Sequence, residues 1–161
     1  MTLSRDAIIL IFLALCRSSM ATPKEDCEKL MNELVPFAEK MLREDGEFHP
    51  FGGAMKPDGE IVHHGAYTGT ELPKGQELVD LLTEAFHQSA AKGEYIATAI
   101  VYDIRTIPPG ETEKTDAICV SLDHRNDYSV NVAFPYTLKH SELSLKPPFA
   151  TKGDGKIFSS K

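Results

Sequence analysis

Three of the chain's six histidines, His49, His63 and His64, fall between Phe48 and Tyr67. Histidine is the side chain whose ordinary pKa lies nearest neutrality, so a histidine oriented by a carboxylate is the common general base of a small hydrolase. His49, His63 and His64 are therefore the catalytic candidates of this sequence, and no residue is assigned a catalytic role outright. Neighbours on a strand point to opposite faces, so His63 and His64 cannot converge on one atom, and His49 must join one or the other. The same alternation argues against a metal centre: zinc takes three or four ligands at recognisable spacing, and no HExxH, HxH or CxxC pattern occurs.

Ser121, Asp123 and His124 invite comparison with a catalytic triad. On a strand Ser121 and Asp123 share a face while His124 opposes them, and the G-x-S-x-G turn that would expose a nucleophile is missing. Glycine pairs such as Gly52-Gly53 lack the following Lys-Ser/Thr of a phosphate loop, so no cofactor is implied. The candidates for binding are Lys114, Thr115 and Asp116, at the end of a loop from Pro108 longer than a minimal hairpin needs, together with Asp103 and Arg105 on one face of the preceding strand.

The elements that must position these residues are legible. Pro57-Asp58-Gly59, flanked by short apolar runs, predicts a β-hairpin. Before it, Thr22-Pro23-Lys24-Glu25 predicts a capped helix start, and Cys27, Leu30, Met31, Leu34, Ala38 and Met41 form an apolar stripe. Pro36 predicts a kink or break in that helix, and Gly46 its end. A second helix is expected from Lys74 to Lys92, with Leu78, Leu82, Ala85, Phe86 and Ser89 inward. Strands follow at Tyr95 to Ile107, Asp116 to Asp123 and Tyr128 to Tyr136.

This order predicts an α+β domain: a five-stranded antiparallel sheet in the order helix, two strands, helix, three strands, with helices packed on one face. Ile96, Ile100 and Tyr102, Ile118, Val120 and Leu122, and Val130, Val132 and Phe134 are assigned to the helix-covered face. The small, partly polar face is left to solvent or to a partner. The single domain is expected to span 22–136, with an irregular tail over 137–161.

Residues 7–16 are an unbroken apolar run of signal-peptide length, too short to span a bilayer, and Ser19-Met20-Ala21 offers a cleavage site. Two readings of residues 1–21 follow. As a signal peptide they send the protein to the periplasm or outside the cell; if translation starts at Met20, they are a gene-model extension and the protein is cytoplasmic. Cys27 and Cys119 are expected as buried free thiols.

At 161 residues, 42% hydrophobic and 25% charged, the chain suits one soluble domain. A net charge of −7 argues against nucleic acid, whose binding needs a basic footprint. No stable membrane insertion of the mature chain is expected.

The phrases Phe48-His49-Pro50-Phe51-Gly52, Pro57-Asp58-Gly59 and Lys114-Thr115-Asp116-Ala117-Ile118 resemble those of small bacterial single-domain proteins of unassigned function. That likeness implies a bacterial one-domain fold and no catalytic residues. The element order resembles that of roadblock and profilin-like domains. The functional expectation is a non-catalytic protein-binding or regulatory module, with a small hydrolase using the hairpin histidines as the alternative, and homodimerisation through a sheet edge as a further expectation.

Overall fold

The computed structural model describes residues 20–66, 69 and 74–159. The apolar run at 7–16 and most of the 68–73 loop lie outside the described residues.

Helix α1 runs from Pro23 to Asp45. Its start carries the capping box read from the sequence: Glu25 N–H donates to Thr22 Oγ1 at 3.2 Å, and Thr22 N–H donates to Glu25 Oε2 at 2.8 Å. Gly46, in a left-handed conformation at φ 79°, closes the helix. Pro36 does not break it. An interior proline costs about 3 kcal/mol, but Leu30, Leu34 and Leu42 are fully buried on either side of it and contribute about 1.5–3 kcal/mol each.

Strands β1 (Phe51–Met55) and β2 (Ile61–Gly65) form the expected hairpin around Pro57-Asp58-Gly59. Helix α2 (Gly75–Ala91) follows, then β3 (Ala97–Thr106), β4 (Thr115–His124) and β5 (Tyr128–Lys139). The segment expected as an irregular tail supplies two more strands, β6 (Glu142–Leu145) and β7 (Phe149–Lys152). The sheet therefore has seven antiparallel strands, not five, in the order β2-β1-β3-β4-β5-β6, with β7 also paired to β5. Both late strands lie along β5, β6 beside Tyr136–Lys139 and β7 beside Val130–Ala133. His140 and Ser141 take φ of 50° and 67° to make the β5–β6 turn. That conformation is normally announced by Asn-Gly or Gly, so the sequence gives no warning of it.

The helices do not share one face. Ala97, Ala99 and Val101 of β3 lie beside His124, Leu122 and Val120 of β4, and Leu122 and Val120 lie beside Val130 and Val132 of β5. The small side of β3 thus joins the bulky side of β4 and β5, and α1 packs there through Leu30, Leu34 and Ala38. Small residues at the centre of the sheet leave room for the leucines of a close helix. Helix α2 packs on the opposite face, where Leu82 and Phe86 meet Ala54, Ile100 and Ile157.

Gly52 and Gly53 serve both helices at once. A Cβ on Gly52 would lie 2.8 Å from the Phe86 ring and from the Ala99 carbonyl, and one on Gly53 would lie 2.9 Å from Leu34. Neighbouring strand residues face opposite sides, so each glycine admits one helix's side chain against the sheet.

Cys27 and Cys119 are both free and buried, as expected. Burial, reinforced by Asp123, Asp26 and Glu28, pushes the Cys27 thiol up to about 12, which leaves it un-ionised and unreactive. No helix among the described residues is long and apolar enough to cross a membrane.

Candidate functional site

The α2 side of the sheet is only partly covered. Thr98, Ile100 and Tyr102 of β3 and Ser121 and Asp123 of β4 floor a cleft of about 340 Å³. One wall is α2, through Val79, Asp80, Thr83 and Glu84, and the other is the chain after β7, through Asp154, Lys156 and Ile157. This closing segment, Gly153 to Ile157, forms a strap. A second cleft of about 280 Å³ lies beside it, and Asp123 lines both.

Specific bonds hold the strap. Gly153 N–H donates to the Ser129 carbonyl at 3.2 Å, and Gly155 N–H donates to Ser129 Oγ at 3.1 Å. His87 Nδ1 of α2 lies 2.9 Å from the Ile157 carbonyl oxygen, and Ile157 itself is buried against α2. A Cβ on Gly153 would collide with the Ser129 hydroxyl and come within 2.8 Å of Val130 N, so only glycine lets the strap lie this close to β5.

Asp123 is the unusual group here. It is 6% exposed, and its Oδ1 is buried with no hydrogen-bond partner among the described residues. Burial raises its pKa above the usual carboxylate range, and the nearby Asp154 raises it further. The Ser129 hydroxyl and the Ile157 backbone N–H oppose that rise by favouring the charged form. A buried polar atom left unpaired costs about 1–3 kcal/mol, so folding alone gives no reason to keep it. Asp80, Glu84 and Asp154 surround the cleft with negative charge, and Lys156 is engaged with Asp154 at 2.8 Å. The arrangement favours a cationic or hydrogen-bond-donating guest.

The residues singled out from sequence are dispersed. His49 is exposed ahead of β1. His63 and His64 do face opposite sides of the hairpin. His63 sits on the α1 side, 3.5 Å from Glu33 and edge-on to Phe37. His64 sits on the α2 side, its Nε2 3.0 Å from the Tyr95 hydroxyl and its ring edge-on to Phe86. Burial, with a smaller contribution from His63, lowers the His64 pKa. None of these three histidines lines the acidic cleft.

Asp103 and Arg105 share the α1 face as expected, but they take different partners. Tyr136 Oη donates to Asp103 at 3.0 Å, and Arg105 pairs with Asp116 at 3.4 Å. Burial raises the Asp103 pKa, the Tyr136 hydrogen bond opposes this, and Asp116 adds to it. Lys114 is exposed and Thr115 begins β4. Asp116 and Asp123 are seven residues apart on that strand, about 23 Å, so the loop candidates stand at the far end of the sheet from the cleft.

His124 stands on the opposite face from Ser121 and Asp123 and ties α1 to the sheet. Its Nδ1 accepts from Asn126 N–H at 3.1 Å, which leaves Nε2 as the N–H that donates to Asp26 Oδ2, also at 3.1 Å. Both its ring nitrogens are thus engaged, and it also borders the second cleft. Among the described residues no cluster of three or more His, Cys, Asp or Glu side chains has the arrangement of a metal site.

Sequence reasoning weighed Asp123 only as a triad member and passed over Asp154, because the strap that joins them belongs to the segment read as irregular. The signals were a carboxylate at an inward position of a buried strand, and Gly153-Asp154-Gly155 followed by the apolar pair Ile157-Phe158. No protein-family model matches the chain, and neither a curated protein nor a solved structure does.

Proposed function

We propose that this protein is a non-catalytic binding module that receives its partner in the acidic cleft between α2 and the sheet. The observation that carries this reading is Asp123, a buried carboxylate with an unpaired oxygen on the floor of an open cleft. Groups left unsatisfied at a cost in stability are characteristic of binding sites. The cleft floor joins the small, partly polar side of β4 to Thr98, Ile100 and Tyr102 of β3 on the α2 face of the sheet, a surface suited to a partner. The strap gives the site a regulatory element, since a guest touching Asp123 also touches Asp154 and Ile157. The hydrolase alternative needs a histidine and a carboxylate together in a cleft, and the three hairpin-region histidines stand elsewhere.

The test is a ligand-observed NMR screen of mixed charged and neutral fragments against the wild type and a Thr83→Phe variant, which places a ring at the cleft wall. Fragments that bind the wild type and lose affinity for the variant support the reading. A screen whose hits bind both proteins equally moves the recognition site away from the cleft and overturns it.

A further inference from the structure

The chemistry of the cleft is more specific than negative charge. We infer that its guest carries a primary ammonium group that pairs with the Asp123 carboxylate, with an apolar body lying along Val79, Ile100 and Tyr102. This rests on the cleft being the recognition site, and it names what that site selects.

Three observations narrow the class. The first concerns shape. A guanidinium recognises a carboxylate best through two parallel bonds to two free oxygens, whereas an ammonium is a compact point charge that needs only one. Asp123 is 6% exposed, so it shows the cleft a small part of its carboxylate rather than two free oxygens side by side, and the Ser129 hydroxyl and Ile157 N–H already favour the charged form. A narrowly exposed acceptor fits the compact ammonium.

The second concerns inorganic cations. Calcium takes six to eight oxygen ligands, and magnesium demands near-octahedral geometry. The described residues hold no cluster of three or more side chains placed for a metal. An organic cation brings its own donors and needs no such cage.

The third concerns the remainder of the floor. Beside Asp123 stand the hydroxyls of Thr98 and Ser121, which can accept the other ammonium hydrogens, and then the apolar surface of Ile100 and Val79. Polar groups gathered at one end and apolar surface at the other fit a molecule with a charged head and a hydrocarbon body. Asp80, Glu84 and Asp154 attract such a cation from solution, an effect that weakens with salt. The cleft volume of about 340 Å³ falls at the small end of ligand pockets, which suits a short amine or a single lysine side chain.

The experiment is a titration of the isotope-labelled protein followed by amide chemical shifts. The probes are 2-phenylethylamine, its uncharged counterpart 2-phenylethanol, 3-phenylpropanoate, and a blocked Gly-Gly-Lys-Gly-Gly peptide. The inference predicts that 2-phenylethylamine, the lysine peptide or both shift the amides of Ser121, Asp123 and Gly155, and that the alcohol binds about ten- to a hundredfold more weakly. Asp123→Asn should weaken the amine by the same factor and leave the alcohol unchanged. Glu84→Gln, on the exposed rim, should weaken the amine about twofold at low salt and have no effect at high salt. The two amine arms distinguish a free small molecule from a lysine of a protein partner.

Equal binding of alcohol and amine, or an amine affinity unchanged in Asp123→Asn, overturns the ammonium assignment. Binding of the propanoate alone in the same cleft overturns it too, while leaving the cleft as the recognition site. No perturbation of cleft amides by any of the four probes overturns the ammonium assignment, and the fragment screen then decides the fate of the cleft separately.

Discussion

Replacing Asp123 by Asn tests the view that this carboxylate is retained for binding at the expense of stability. Its Oδ1 is buried and unpaired, and a polar atom in that state costs about 1–3 kcal/mol. Asparagine keeps the shape and removes the charge, though its amide group will itself be incompletely paired. We therefore expect Asp123→Asn to raise unfolding free energy at pH 7 by about 1–2 kcal/mol, short of the full cost of the unpaired charge.

The pH dependence fixes the sign. Burial, with Asp154, raises the Asp123 pKa in the folded protein above its unfolded value, while Ser129 and the Ile157 N–H pull it back. The folded state then binds the proton more readily than the unfolded state, so this group's contribution becomes more favourable as pH falls through the folded pKa. The gain is complete below the unfolded value near 3.8. Asp80, Glu84, Asp154 and Lys156 also border this cleft, and they are common to both proteins, so the difference between wild type and variant isolates Asp123. Urea unfolding of both proteins between pH 7 and pH 4 is the assay. The variant's advantage should be largest at pH 7 and shrink toward pH 4. A variant less stable than wild type at pH 7, or a constant difference across the range, refutes the reasoning.

Other substitutions examine the parts that build the site. Gly153→Ala places a methyl group against Ser129 and Val130 and should release the strap. Hydrogen exchange at Gly155 and Ile157 should speed up markedly while the amides of β3 and β4 keep their protection. Gly52→Ala forces a methyl into the Phe86 ring and the Ala99 carbonyl, and denaturation should show a loss of about 1–3 kcal/mol from overpacking. Leu34→Ala, at a fully buried position over Gly53, should cost about 2–5 kcal/mol in the same assay. His124→Ala removes the bond to Asp26 and leaves Asn126 N–H without its acceptor, for an expected loss of about 1–3 kcal/mol with amine binding unchanged.

Local chemistry was the legible part of the fold. Thr22-Pro23-Lys24-Glu25 specifies a helix start by itself, and Pro57-Asp58-Gly59 specifies a turn by itself, so α1 and the first hairpin follow from short stretches. The assignment of helices to faces depends on which residue lies beside which across strands. Ala99 belongs with Leu122 because of register, and no single strand reveals that. The last two strands escaped because their turn uses His140 and Ser141 in a conformation that usually belongs to glycine or asparagine. The site escaped for a related reason: Asp123 acquires its neighbours only when the chain after β7 folds back over β5, with Gly153 permitting the approach. The histidines drew attention by residue type, and strand alternation was enough to separate His63 from His64.

The most direct measurement is the titration of the Asp123 carboxyl carbon by NMR, alone and with saturating 2-phenylethylamine. The account predicts a midpoint above the usual carboxylate range in the free protein, caused first by burial and then by Asp154. The amine should lower that midpoint, because a bound ammonium favours the charged carboxylate. An Asp123 that titrates at or below the ordinary aspartate value in the free protein, or a midpoint that the amine leaves unchanged or raises, would contradict it.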